Sequence, residues 1–303
     1  MHSGRKIDMR IRPAGVDEGI VFVRKDLPDG RNRVKADVDN VIDTTLATTI
    51  GCNGATVSTV EHLMSAFSGM GVDNAVVEID AAELPIMDGS ARPFVELLKN
   101  VGARSQGKAK RLLVVKKKIE VSEGEGSAML LPSPEFRITY DIEFDHKDIG
   151  AQSYQIRLSD VSYEKEICAA RTFGFLRDVE YLQAKGLALG GSLQNAIVLD
   201  ENRIINKEGL RFPDEFVRHK ILDSIGDLSL LGLPIIGHFV AVKSGHRLNN
   251  LLLKELLRHQ ECWTVVNDLS REEMFIERDR LQIPAFHVLD SLPSFAVRDL
   301  AAV

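Results

Sequence analysis

Hydrophobic and polar residues alternate along several short segments of this chain, which is the pattern of a β-strand with one buried face. In the first such segment, 6–12, the apolar residues Ile7, Met9 and Ile11 are separated by charged ones. The same pattern, or a short apolar run, predicts strands at 6–12, 20–24, 33–38, 45–50, 74–80, 112–121, 136–145, 151–158, 196–200 and 237–243.

Other segments carry apolar residues at the spacing of a helix with one buried face. The longest is 214–231, whose apolar stripe consists of Val217, Ile221, Ile225 and Leu228. Helices are predicted at 60–67, 93–98, 162–170, 177–185, 214–231 and 247–260.

In both halves of the chain strands come first and helices follow, which indicates an α+β fold rather than alternating βαβ units. The polar, basic stretch 101–110 separates the halves, so we predict domains at 1–106 and 107–303. Within this stretch, 102–108 matches the first seven positions of a phosphate-binding loop. Ala109 stands where that loop needs Ser or Thr, and the segment follows a predicted helix, so we interpret it as a linker.

Composition excludes some functions. With 44 acidic and 38 basic residues the net charge is −6, which gives no basic field for a nucleic acid. The longest apolar run, 228–242, is interrupted by Gly232, Pro234 and His238, so we expect no transmembrane segment. Three widely spaced cysteines without a CxxC pair are typical of a reducing cytosol.

The most informative polar residues are His219, Asp223 and Asp227, which recur every four positions and therefore share one helix face. A histidine and an aspartate at this spacing can chelate one metal ion. Taken alone, this spacing favours a solvated polar face, because many helices have one. However, Phe216 and Leu230 fall on the same side, which suggests that this face is covered and needs a cation.

Glu61 and His62 form a second candidate pair and also allow two interpretations. Ser58 and Glu61 have the spacing of a helix capping box, a purely structural motif. Alternatively, a hydrolytic zinc site needs three protein ligands, an open position and a nearby carboxylate. His62 and Glu61 would supply the third ligand and the carboxylate together.

Two further segments are ordinary when taken alone. Lys243 to His246 follows an apolar strand and is typical of a surface turn, and the aromatic residues of 171–175 are typical of core packing. Their combination with the other motifs is specific. The motifs TVEH (59–62), ARTFGF (170–175), FVRHKILDSIGDL (216–228) and KSGH (243–246) together resemble the UDP-3-O-acyl-N-acetylglucosamine deacetylase family, as do the segments 85–94, 187–203 and 209–216.

The resemblance runs from the first residues to about residue 266 and implies a fold and a cofactor. The family's fold is a sandwich of two α+β domains, with helices packed between two sheets and the active site at the domain interface. Position by position, the resemblance makes His62, His219 and Asp223 the ligands of one Zn²⁺ per chain. Glu61 becomes the general base.

The implied reaction is hydrolysis of the N-acetyl group of UDP-3-O-(3-hydroxyacyl)-N-acetylglucosamine, which releases acetate at the committed step of lipid A biosynthesis. In this reading the Thr172 hydroxyl stabilises the oxyanion. His246, kept protonated by Asp227, stabilises negative charge and donates a proton to the departing amine.

Substrate recognition is implied at other positions. Lys220 and Lys243 match residues on the nucleotide and phosphate side of the substrate. The segment 173–200 resembles an insert that forms an acyl passage, and ordinary core packing is the alternative for each of its apolar residues. The lining positions are Phe173, Val179, Ala188, Leu193 and Val198.

The resemblance implies a monomer in the cytoplasm of a Gram-negative bacterium, with peripheral contact at the inner membrane surface. Its UDP-sugar lipid precursor is the expected partner. Met1 to Gly4 match the end of an internal family motif, GLHSG, so we expect the strand before that motif to be missing. Two alternatives stay open: a zinc amidase for another acetylated sugar nucleotide, and a metal-binding relative without turnover.

Overall fold

The computed structural model describes residues 1–267 of the 303-residue chain, apart from the side chain of Glu180. The strands are β1 Met9–Pro13, β2 Ile20–Arg24, β3 Arg33–Lys35, β4 Val41–Asp43, β5 Thr49–Cys52, β6 Ala55–Val57, β7 Ala75–Ile79, β8 Arg111–Val115, β9 Ile119–Glu123, β10 Gly126–Leu131, β11 Phe136–Phe144, β12 Gly150–Arg157, β13 Phe173–Phe175, β14 Ile197–Leu199, β15 Ile235–Val242 and β16 Trp263–Asn267. The α-helices are α1 Glu61–Gly69, α2 Arg92–Val101, α3 Asp160–Ser162, α4 Leu176–Ala184, α5 Glu215–Ser229 and α6 His246–Arg258. A π-helical turn, Tyr163–Ile167, continues α3, and short 3₁₀ turns cover Val38–Asn40 and Gln260–Cys262.

The first part of the chain builds a four-stranded sheet in the order β1-β7-β2-β3. Strand β7 pairs antiparallel with β1 and parallel with β2. A separate three-stranded sheet, β4-β5-β6, leads directly into α1. This small sheet places the start of α1.

The second part builds a larger mixed sheet in the order β12-β11-β15-β10-β9, with β8 joined to β15 and to β16. Strand β15 is parallel to β11 and antiparallel to β10, and its end leads through a short loop into α6. Strands β13 and β14 form a parallel pair on their own.

Helix α5 packs against α1, against α6 and against strands β11 and β12. One continuous hydrophobic core joins residues of the first sheet, of helices α1 and α5 and of the larger sheet. It includes Phe22, Leu63, Val217 and Phe239. Both sides of α5 are therefore covered. This is the condition under which His219, Asp223 and Asp227 lose contact with water, and all three are buried.

The α+β class is confirmed, and most predicted elements occur within a few residues of their expected positions. The single strand predicted at 45–50 was wrong: β4 and β5 are separated by a loop in which Leu46 has a φ of 63°. The strand predicted at 112–121 is two strands, β8 and β9. The helix predicted at 162–170 starts earlier, because the Ser159 side chain caps α3, and it continues as the π-helical turn.

Strands β4, β6, β10, β13 and β16 were not predicted. The linker prediction for 102–108 is confirmed, since this exposed segment joins α2 to β8. The domain boundary after residue 106 stays a prediction. The predicted second domain continues past residue 267, and its end, with the last dozen residues, lies outside the described part.

In residues 1–267, no helix has the length and apolar character needed to cross a membrane.

Candidate metal centre and active site

Glu61 and His62 are the first two residues of α1. The capping-box interpretation of Ser58 and Glu61 was wrong, because α1 begins with no side-chain cap. Ser58 Oγ accepts a hydrogen bond from Thr49 Oγ1 at 2.9 Å, and the Glu61 carboxylate accepts one from the Thr48 backbone N–H at 3.0 Å. Glu61 is therefore available for chemistry rather than for holding its own helix.

The turn before α1 is strained. Thr59 has a φ of 58°, a left-handed conformation that β-branched residues rarely adopt. Such a conformation costs on the order of 1–3 kcal/mol and persists where neighbouring contacts fix it. Here Ser58 N–H donates to Ala82 O at 2.8 Å, and Val60 N–H donates to Thr48 O at 3.3 Å. These bonds hold the turn and thereby set the position of Glu61 and His62.

His62, His219 and Asp223 meet at one point. The Nε2 atoms of His62 and His219 lie 3.5 Å and 3.3 Å from Asp223 Oδ1, and one candidate ligand atom from each residue lies within 4.8 Å of the others. Tetrahedral zinc with bonds of about 2.0–2.1 Å places its ligand atoms about 3.4 Å apart. In the described part of the chain, this is the one group of three or more His, Cys, Asp or Glu side chains with metal-binding geometry.

The residues themselves fit a zinc ion. Asp223 Oδ1 is buried without a hydrogen-bond donor, a state that is costly for a carboxylate oxygen unless a cation compensates it. His219 Nδ1 donates to Ala170 O at 3.1 Å, which leaves the Nε2 lone pair free for a metal. Burial lowers the pKa of His219 to about 4, so the ring is neutral near pH 7.

Asp227 lies one turn after Asp223 and belongs to a separate hydrogen-bond network. Its carboxylate accepts from Thr48 Oγ1 at 2.6 Å, from His246 Nδ1 at 2.9 Å and from Asn249 Nδ2 at 2.9 Å. Burial alone would lower the pKa of His246, but the Asp227 carboxylate outweighs it and raises that pKa to about 9. His246 is therefore protonated at neutral pH, and it is the first residue of α6 rather than part of a turn.

In the base candidate Glu61, by contrast with His246, the surroundings favour the uncharged form. Its side chain is buried, and burial raises the pKa of this carboxyl above its usual value. Thr48 binds the carboxylates of both Glu61 and Asp227, and Asn249 binds that of Asp227. The sequence analysis predicted neither Thr48 nor Asn249 as a site residue. The one available signal was the position of Asn249 three residues after His246, on the same helix face.

The two lysines differ in their surroundings. Lys220 Nζ lies 3.7 Å from Asp223 Oδ2, next to the candidate metal ligands. Lys243, at a φ of 47° just after β15, contacts the carboxylates of Glu125 at 2.8 Å and Glu143 at 2.7 Å. Lys220 thus lies beside a candidate metal ligand, whereas Lys243 is exposed and paired with two glutamates.

A buried ion pair fixes the segment that carries Thr172. Glu215, at the start of α5, accepts from Arg171 Nε at 2.8 Å and from the Arg171 backbone N–H at 2.9 Å. Thr172 continues the anchoring, since its N–H donates to Gly89 O at 2.8 Å and its carbonyl accepts from Ile197 N–H at 2.8 Å. The main chain at Thr172 is therefore fixed between two segments, and the role of its hydroxyl stays a prediction.

The five predicted acyl-passage residues do not share one surface. Phe173 packs edge-on against Phe216, with ring centroids 4.9 Å apart. In the parallel pair of β13 and β14, Phe173 is paired with Ile197 and Gly174 with Val198, so Phe173 and Val198 point to opposite faces. Val179 and Ala188 are half-buried, and Leu193 is exposed. Their assignment to a passage stays a prediction.

Comparison with known proteins agrees with the motifs. A profile of the family described as UDP-3-O-acyl N-acetylglycosamine deacetylase (LpxC) matches residues 1–258. The UDP-3-O-acyl-N-acetylglucosamine deacetylase of Syntrophus aciditrophicus is 61% identical over 302 residues, which cover 100% of this chain and 92% of the relative. The proteins of the same name from Myxococcus xanthus and Geobacter sp. (strain M21) are 51% and 50% identical, over 90% and 88% of this chain and 86% and 87% of their own lengths. The resemblance predicted from the motifs is confirmed, and the chain belongs to the UDP-3-O-acyl-N-acetylglucosamine deacetylase family.

Proposed function

We propose that this protein uses one Zn²⁺ to hydrolyse the N-acetyl group of UDP-3-O-(3-hydroxyacyl)-N-acetylglucosamine in lipid A biosynthesis. The observation that supports it best is the convergence of His62, His219 and Asp223 at ligand distances, with Glu61 directly before His62. The names of the relatives support the choice of substrate.

Two histidines and one carboxylate are a ligand set that zinc hydrolases use, because they leave a coordination position open. A zinc ion held by His62, His219 and Asp223 supplies Lewis-acid polarisation of the amide carbonyl and activation of water. The protein side chains supply the proton transfers.

Glu61 is the proposed general base. It takes a proton from the water that attacks the acetyl carbon. Its raised pKa makes the carboxylate a stronger base than one on the surface, and the hydrogen bond from Thr48 N–H holds one of its oxygens. The Thr172 hydroxyl is the proposed protein donor to the oxyanion.

His246 is the proposed general acid. With a pKa of about 9 it carries a proton at neutral pH, which it donates to the amine nitrogen as the carbon–nitrogen bond breaks. Asp227 stabilises the protonated ring through the bond to Nδ1. The products are acetate and the free amine, and the two proton transfers balance.

Recognition of the rest of the substrate is assigned to the lysines and the insert. A diphosphate needs local cations in a protein of net charge −6, and Lys220 and Lys243 are the proposed ones. The segment 173–200 is the proposed acyl-binding region. We propose a monomer that acts in the cytoplasm of a Gram-negative bacterium, at the inner membrane surface.

Metal content and acetate release test the proposal together. We expect Glu61→Ala to keep one zinc per chain and to lose most of its acetate release, whereas His219→Ala or Asp223→Ala loses the zinc. Near-normal turnover of Glu61→Ala would contradict the base assignment. Equal rates on acylated and unacylated UDP-N-acetylglucosamine would favour a different sugar-nucleotide amidase, and zinc without any acetate release would favour a metal-binding relative.

A further inference from the structure

Thr48 contacts both carboxylates that the proposed reaction needs. This residue directly precedes β5, and only 1% of it is exposed. Its backbone N–H donates to Glu61 Oε2 at 3.0 Å, and its hydroxyl donates to Asp227 Oδ1 at 2.6 Å. The main chain and the side chain of one residue thus hold two buried acids that are far apart in sequence.

The hydroxyl has a specific task at Asp227. His246 and Asn249 both donate to Oδ2, whereas in the described part of the chain Thr48 is the hydrogen-bond donor to Oδ1. A carboxylate held at both oxygens cannot rotate freely. The Thr48 hydroxyl therefore fixes the orientation in which Oδ2 faces the His246 ring.

The backbone around Thr48 is held in place as well. Leu46, two residues earlier, has a φ of 63°, which is unusual for a large side chain. On the other side, the Thr48 carbonyl accepts from Val60 N–H at 3.3 Å and ties the loop to the start of α1. Strained backbone that surrounding bonds hold in place is common where a site needs fixed geometry.

We propose that Thr48 is a positioning residue that sets the base and the acid of this site relative to each other. Its N–H orients the Glu61 carboxylate, and its hydroxyl orients Asp227 and, through it, His246. The inference rests on the proposed function, since it concerns the same reaction.

Replacing the hydroxyl while keeping the N–H tests this role. Thr48→Val has nearly the same shape, keeps the bond to Glu61 and leaves Asp227 Oδ1 without its donor. We expect kcat to fall about 10- to 100-fold, from the cost of an unmet buried hydrogen bond, while KM and zinc content stay within about twofold. Thr48→Ser restores the hydroxyl and should recover most of kcat.

A matched control is available at the next residue. Thr49 Oγ1 donates to Ser58 Oγ and touches neither carboxylate, so Thr49→Val should keep the kcat of the unaltered protein. A spectroscopic readout separates positioning from general damage. In long-range ¹H–¹⁵N spectra of the histidine rings, the Nδ1 signal of His246 should shift in Thr48→Val and return in Thr48→Ser.

Several outcomes would overturn the inference: unaltered kcat in Thr48→Val, an unchanged His246 signal in that variant, or equal losses in Thr48→Val and Thr48→Ser. Should Thr48→Val not fold, Thr48→Cys offers a weaker donor, and its kcat should lie clearly below that of Thr48→Ser. Absence of acetate release from the unaltered protein would instead contradict the proposed function, so the two failures are distinguishable.

Discussion

Two histidines of this site have opposite charge states, and their neighbours explain the difference. Burial lowers the pKa of His219 to about 4. The nearby Asp223 carboxylate raises this pKa, whereas His62 and Lys220 lower it further. His246 is half-buried, yet direct contact with Asp227 outweighs the effect of burial and raises its pKa to about 9. Environments that push pKa values apart are how one site provides both a neutral ligand and a charged acid. At the residue scale, these charge states support the proposed roles of His219 as a metal ligand and of His246 as a proton donor.

The pH dependence of the reaction should report this contact. Since Asp227 raises the pKa of His246, Asp227→Asn should lower it, and the fall of kcat/KM at high pH should move from about pH 9 toward pH 6–7. Profiles of kcat/KM against pH measure the shift. Asp214→Asn, which changes the same residue type just before α5 and away from His246, should leave the basic limb in place. An unmoved basic limb in Asp227→Asn would mean that another group controls it.

At the scale of elements, the site depends on how closely α5 approaches α1. A Cβ atom added at Gly226 would lie 2.0 Å from the Glu61 carbonyl oxygen, so only glycine permits this contact. The short approach brings Asp223, on α5, to the level of His62, on α1. Gly226 thus permits the close packing of α1 and α5, the two helices that carry all three candidate ligands.

Gly226→Ala should lower both stability and activity. Alanine gains about 1 kcal/mol of helix propensity over glycine, but forcing an atom into a packed contact costs typically about 1–3 kcal/mol and displaces Glu61. We expect a lower Tm in thermal unfolding and a reduced kcat. For stability, the same change at Gly174, where an added Cβ would have no neighbour within 4 Å, is the control. A Tm of Gly226→Ala at or above that of the unaltered protein would contradict this, because it would mean that α1 and α5 can move apart without loss of stability.

The ion pair of Arg171 and Glu215 connects the segment of Thr172 to the start of α5. Both side chains are buried, with exposures of 4% and 0%. Removing one partner of such a pair costs about 3–5 kcal/mol, because a charge is left buried without compensation. Urea unfolding of Arg171→Met should show this loss. Arg258→Met, which breaks an exposed pair with Glu255, should cost less than about 1 kcal/mol, and equal losses in the two variants would contradict the argument.

At the scale of the whole molecule, the candidate metal centre joins distant parts of the chain. His62 comes from the first part and His219 and Asp223 from the second, and all belong to helices that pack on one core. A ligand that binds only the folded state stabilises it, by about 2.7 kcal/mol at a free concentration 100 times Kd. Zinc should therefore act as a clamp between α1 and α5.

Metal removal should reveal this clamp. We expect a chelator to lower the Tm of the zinc-loaded protein and added zinc to restore it, as followed by calorimetry. Asp223→Ala, which lacks one ligand, should show a Tm that neither treatment changes. A zinc-loaded protein whose Tm ignores the chelator would contradict the proposed clamp.

The amino-acid sequence by itself determined the features that depend on local periodicity. The period of the helix placed His219, Asp223 and Asp227 on one face, and alternation located most strands, because both patterns repeat within a few residues. The order of strands and helices gave the α+β class. Motif resemblance then gave the family and joined Glu61 and His62 to the same site.

Only the tertiary structure decided which of these residues meet and what holds them. The bonds from Thr48 to Glu61 and Asp227 span 13 and 179 residues, and no local pattern encodes such partners. The capping-box prediction failed for a related reason. The fold brings the Thr48 N–H to the Glu61 carboxylate, which accepts its hydrogen bond instead of capping the start of α1. Charge states followed as well, since the pKa of His246 depends on burial and on contact with Asp227, both of which arise only when α5 and α6 pack together.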